Sequence, residues 1–280
     1  MEKILLALDA VNPNKNALEF ACYLGRLTKS KITGVFLENM EPQIRPVVHQ
    51  LHSMTTLDWR EKENADNRKA KQEQVIERNI AMFKESCIAR DVNYYIHLDR
   101  GMPLQELVEE SRFADILITD AALSLHHQFT GVPSEFVRTL LKTAECPVII
   151  APEKYEALNE LVFTYNGAAS SVFAIKQFTY LFPQLCNAKT TIVQVNEEGE
   201  WNGTDKFKFK EWLNDHYTNL HFEVLKGNTD TKLFDFLFKK RNMFLVMGAY
   251  GRNGLSEFFK KNPADFLMKV VTQPIFIAHL

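Results

Sequence analysis

The chain has 280 residues, 46% of them apolar, 24% charged and 11% aromatic, a composition too apolar for disorder and too polar for life inside lipid. Lys and Arg number 33 against 35 Asp and Glu, a formal net charge of -2, so the basic excess that grips a phosphate backbone is missing and nucleic acid is excluded as a principal partner. Cys22, Cys87, Cys146 and Cys186 stand apart, with no C-x-x-C pair, and no apolar stretch approaches the length of a membrane span. These features predict buried thiols in a reducing, cytoplasmic protein that makes no use of a membrane.

In chain order, residues 4–9 (ILLALD) form a continuous apolar run ending in Asp, which predicts a strand buried on both faces. Asn12 as N-cap and Pro13 at the first helical position then open a helix whose stripe is Ala17, Phe20, Ala21, Leu24 and Leu27. A second strand covers 31–37 (KITGVFL), and 38–92 is a polar, partly helical insertion ending in a long helix through Val75, Ile76, Ile80 and Phe83. A third strand follows at 93–98, then Gly101-Met102-Pro103 and a helix, a fourth strand at 115–119, a further helix, and a closing strand at Pro147-Val148-Ile-Ile-Ala.

The order then starts again. Residues 161–166 (LVFTYN) repeat the first run with Asn in place of the terminal Asp, and Ser170 caps a helix through Ser171, Ala174, Ile175, Phe178 and Leu181. Strands at 189–195, 221–225 and 243–247, helices between them, and a closing Pro274-Ile-Phe-Ile-Ala complete the second copy. Alternating strands and helices with short connections predict an α/β fold of two tandem doubly wound parallel five-stranded sheets, in domains of residues 1–152 and 158–280. Two equivalent units in one chain are expected to form an intramolecular pseudo-two-fold dimer with the closing strands near its interface. A homodimer of whole chains stays open.

Ligands of an open parallel sheet lie beyond the carboxyl ends of the strands, so the loops after the first and fourth strands carry the candidate site. In the second half the latter loop reads Gly248-Ala-Tyr-Gly251-Arg252-Asn-Gly254-Leu-Ser256, glycines that allow backbone N–H groups to approach a phosphate. On Asp9, on Gly101-x-Pro103, on Gly248-x-x-Gly251 and on the closing Cys146-Pro147-Val148 strand, nearly the whole chain resembles a tandem universal stress protein, with the adenine nucleotide α-hydrolase-like fold.

In members of that family that bind ATP, the first-strand Asp and neighbouring backbone hold the adenine and ribose, and the Gly loop with a following G-[ST] pair holds the phosphates. The resemblance therefore implies ATP or another adenine nucleotide as a small-molecule ligand. In the second half it points to Tyr165, Asn166 and Gly167 with Gly248, Gly251, Arg252, Lys261 and Asn262, although Lys261-Asn262 stands where G-[ST] belongs. In the first half it points to Asp9, Ala10 and Ser134. There Asp120 and Leu123 replace the two loop glycines and Ser134-Glu135 replaces G-[ST], so Asp120 and Glu135 would repel phosphate.

The remaining features carry plainer readings. His126-His127 point different ways and make a poor metal pair, and His49 and His52 lack a third ligand, so no metal site is expected. Cys146 lacks an activating base, and Phe207, Phe209, Trp212 and Tyr217 among Lys206, Lys208 and Lys210 read as an amphipathic helix that buries its aromatics. Three functional readings follow: a stress-response protein regulated by nucleotide in its second half, an interaction module or binder of another small ligand, and a slow ATPase. The absence of a recognisable general base or hydrolase motif weighs against the third.

Overall fold

The computed structural model describes residues 1–38, 56–99, 101–124, 131–154, 158–201, 203–248 and 272–279. The first half runs β1 (Lys3–Asp9), α1 (Lys15–Thr28), β2 (Lys31–Leu37), α2 (Thr56–Ala89), β3 (Tyr94–Asp99), α3 (Pro103–Ser111), β4 (Ile116–Thr119), α4 (Glu135–Thr143) and β5 (Val148–Ile150). The second runs β6 (Glu160–Tyr165), α5 (Ala169–Leu181), β7 (Lys189–Asn196), α6 (Gly203–Asn214), β8 (Leu220–Lys226), α7 (Thr229–Phe238), β9 (Met243–Gly248) and β10 (Ile275–Ala278). The strands fall where the continuous apolar runs place them, because only a strand buried on both faces tolerates such a run.

All described strands join one ten-stranded sheet in the order β3-β2-β1-β4-β5-β10-β9-β6-β7-β8. Read inward from each end, both halves show the same order, third, second, first, fourth, fifth, and every pairing within a half is parallel. The two doubly wound halves are present, yet they are not two separate sheets. β5 and β10 pair antiparallel, with Ile150 opposite Ile275 and Val148 opposite Ile277. Both closing strands are apolar and fully buried, so neither can leave its outer edge bare, and each satisfies the other. Antiparallel pairing of equivalent strands is what an internal two-fold axis produces.

The helices cover the two faces unequally. α1, α2, α5 and α6 pack on one face, and α3, α4 and α7 on the other, as right-handed crossovers require when the strand order runs outward and then reverses. Both core layers pass through the junction: on one face the Phe20 ring of α1 meets Phe244 of β9 at 6.0 Å, and on the other Val148 and Ile150 of β5 share one buried cluster with Ile275 and Ile277 of β10. The outer strands β3 and β8 are half exposed, whereas β6 and β9 are buried along their whole length. No helix among the described residues is long and apolar enough to cross a membrane.

Two helix starts differ from the sequence reading. α1 is capped by Asn14, whose side chain accepts from the Asn16 and Ala17 N–H groups, and Asn12 and Pro13 stay outside the helix. The cause lies upstream: Asp9 Oδ1 accepts from Val11 N at 2.7 Å and Asn12 N at 2.9 Å, and this small turn must finish before a helix can begin. α5 starts at Ala169 after Ala168, without a side-chain cap, and Ser170 lies in its first turn. The buried Glu160 sits at the amino end of β6, where Lys240 Nζ donates to both carboxylate oxygens at 2.9 and 2.8 Å and the Thr191 hydroxyl adds a bond. Burial alone would raise its pKa, but these donors outweigh it and hold the carboxyl low.

Candidate functional site

In the first half, β1 and β4 end side by side at the point where the strand order reverses, and the loops after them carry Asp9 and Asp120. Asp9 closes its own turn, as described above. Asp120 Oδ1 accepts from Ala122 N at 2.9 Å, yet burial lifts its pKa above the usual carboxylate range and the Asp9 charge adds to the lift. Two carboxylates thus face one crevice. The other two expected ligand residues serve the fold: the Ala10 N–H bonds Leu37 O at 3.0 Å, and its carbonyl accepts from Asn79 Nδ2 at 2.9 Å. The Ser134 hydroxyl donates to Leu123 O and caps α4 by accepting from Val137 N at 3.1 Å. Neither has a polar group left over for a phosphate.

The matching crevice of the second half lies between the ends of β6 and β9. Tyr165, the last residue of β6, is buried in a three-ring stack, 5.2 Å from Trp201 at an interplanar angle of 9° and 4.8 Å from Phe209 at 24°. Asn166 takes the place of Asp9 and repeats its local role without the charge, Oδ1 accepting from Ala168 N at 3.0 Å. Gly167 follows with φ of +80°, a turn conformation that a side chain disfavours, in open space. Gly248 ends β9 directly against the first turn of α5: a Cβ there would lie 2.6 Å from Ser170 O and 2.8 Å from Ser171 N. Close packing of helix on strand already requires that glycine.

Of the remaining expected residues, Gly251, Arg252, Lys261 and Asn262 lie outside the described residues, as do Gly254, Ser256, His49, His52, His126 and His127. Among the described residues no group of three His, Cys, Asp or Glu side chains is placed to hold a metal ion.

No family model and no curated protein matches the sequence. Solved structures do: a universal stress protein from Archaeoglobus fulgidus DSM 4304 superposes with a TM-score of 0.68 at 13% identity, over 99% of this chain and 98% of that one. The fold is that of the universal stress proteins. The same architecture appears in a functionally unknown protein from Pseudomonas aeruginosa PAO1, with a TM-score of 0.56 at 10% identity over 100% of this chain and 92% of that one. It also appears in a proposed universal stress protein from Pseudomonas aeruginosa UCBPP-PA14, with a TM-score of 0.54 at 8% identity over 100% and 93%.

Within this universal stress protein fold, two arrangements escaped sequence reasoning. Asn79 reaches from α2 to clamp the loop after β1, bonding Ala10 O and Val11 O; its signal was an amide inside the apolar stripe of Ile76, Ile80 and Phe83. Cys22 of α1 and Cys87 of α2 meet with sulfurs 4.0 Å apart, and nothing in their spacing of 65 residues announces it. The hydrogen bond to Cys22 and burial hold the Cys87 thiol up, and burial, reinforced by the Asp115 charge, pushes Cys146 up to about 12. Cys22, Cys87 and Cys146 are buried as expected, while Cys186 is only half-buried; all four are free thiols.

Proposed function

We propose that this chain is a stress-response protein of the universal stress protein kind, in which an adenine nucleotide such as ATP acts as regulatory ligand in the second half while the first half is closed to anions. The carrying observation is the difference between two equivalent crevices: at the end of the fourth strand the first presents the buried Asp120, whereas the second has Gly248 in the matching place. Like charge opposes a triphosphate in one and is absent from that position in the other. Arg252, Lys260 and Lys261 follow Gly248 in the sequence, a local supply of cations that suits an anionic ligand. Four free thiols suit a reducing compartment, and we place the protein in the cytoplasm.

A second reading, an interaction module without nucleotide, draws support from Gly248, whose glycine is already required by packing on Ser170. Mass spectrometry of protein denatured directly after purification, followed by calorimetry with ATP, ADP and AMP, separates the two. The nucleotide reading expects co-purified adenine nucleotide and binding that Gly251→Val weakens about tenfold or more by blocking close backbone approach. Lys261→Ala then tells whether that cation assists or obstructs. No heat at about 1 mM nucleotide would promote the interaction module.

A further inference from the structure

A cleft of about 290 Å³ opens between α5 and α6, beside the carboxyl end of β6, and Tyr165, Val172, Lys176, Lys208, Phe209 and Trp212 line it. We propose that it binds a planar aromatic anion, an aryl carboxylate, sulfonate or phosphate, whose ring lies against the aromatic walls and whose charge pairs with the two lysines. The cleft is near the lower end of the size range of small-molecule pockets, enough for a one- or two-ring compound.

Its floor is rigid. Tyr165 and Phe209 are 6% exposed each, and the Trp201 ring stacked behind Tyr165 prevents that wall from turning away, so little ordering remains for a ligand to impose. Trp212 is held at the rim by His216 at 4.6 Å and Tyr180 at 6.2 Å. The two cations are uncommitted: among the described residues neither Lys176 nor Lys208 forms an ion pair, whereas Lys189 and Lys240 are both taken up by Glu160. Aromatic walls with only cations at the opening select a ring that carries negative charge, since a cationic ring would meet two like charges and an aliphatic anion would leave the walls wet.

This site borders the nucleotide crevice at Tyr165, but Lys176, Lys208 and Trp212 line the cleft and are not among the residues expected to hold nucleotide. Calorimetry with 2-naphthalenesulfonate and its uncharged isostere 2-naphthalenesulfonamide tests it, on wild type, on the double variant Lys176→Met with Lys208→Met, and on Trp212→Ala. All three side chains are at the surface or rim, so the fold should survive, and an unchanged circular dichroism spectrum checks that it does. The sulfonate should bind wild type about tenfold tighter than the sulfonamide, and the double variant should erase that preference by weakening the sulfonate alone. Trp212→Ala should weaken both compounds. Equal affinity for the two compounds in wild type, sulfonate binding untouched by the double variant, or no binding at about 1 mM would overturn the proposal. Gly251→Val should leave sulfonate binding unchanged, so a nucleotide signal lost in Gly251→Val belongs to the crevice and one lost in the lysine variant belongs to the cleft.

Discussion

The Asn79 amide donates to two carbonyls, Ala10 O at 2.9 Å and Val11 O at 2.7 Å, and thereby fixes the loop that carries Asp9 and leads into α1. Asn79→Leu strands both acceptors in a buried place, so we expect a loss of about 2 kcal/mol in denaturant unfolding, with faster amide exchange at Val11 and Asn12. A second residue, Asp99 at the end of β3, lies near Glu106 and Glu110, and its Oδ2 is buried without a hydrogen-bond partner. Burial and then those two charges push its pKa up to about 6 from an ordinary 3.8, so the folded chain holds the Asp99 proton more tightly than the unfolded chain. The resulting stability is present in full below the ordinary value and lost as pH rises through about 6. Asp99→Asn should therefore stabilise the protein at pH 7.5 by about 1 kcal/mol, discounted because solvent reaches the group. That gain should shrink towards pH 4.5 in thermal scans, and a gain independent of pH would assign the effect to something other than the charge. That Asp9 ends a strand was legible in the sequence; the turn it ties to Val11 and Asn12 was not, nor was the repulsion around Asp99, because that depends on α3 folding back over β3.

At the scale of elements, the strands and the buried stripes were readable because period and continuity are local properties of the chain. Helix starts were less so. Asn12 and Asn14 are equally good caps by residue type, and only the turn that Asp9 ties to Val11 and Asn12 decides between them. The aromatic stretch divides as a helix face must: Phe209 and Leu213 of α6 and Tyr217 just beyond it turn inward, while Phe207 is 70% exposed. The Gly248 contact was hidden for another reason, since a glycine in a strand-to-loop position suits both phosphate approach and tight packing. Gly248→Ala puts a Cβ 2.6 Å from the Ser170 carbonyl oxygen, which is backbone and cannot swing aside. We expect about 3 kcal/mol of destabilisation from forcing α5 off β9, measurable with no nucleotide present. A neutral effect would show that the helix start yields freely.

At the scale of the molecule, the repeat was visible in the sequence but its joining into one sheet was not. The closing strands read alike, yet nothing in either one alone says whether its edge is covered by a helix or by the other strand. With both core layers running through the junction, the halves should unfold together. Phe276, which is 0% exposed and packed against Phe178 and Phe182, tests this: Phe276→Ala should cost about 4 kcal/mol and move one calorimetric transition downward. Splitting into two transitions would mean that the halves are energetically separate.

The antiparallel seam between β5 and β10 also fixes a stoichiometry. Halves that associate as free subunits can exchange, and a population of identical partners offers two equal sites; here each half is tethered for life to one unlike neighbour. Selection acting on one crevice is then released from acting on the other, which allows Asp120 to stand on one side where Gly248 stands on the other. On the proposed function, saturation by a charged ligand at the strand ends should accordingly end at one molecule per chain, with a Hill coefficient of about 1, because Asp120 makes the two crevices unequal.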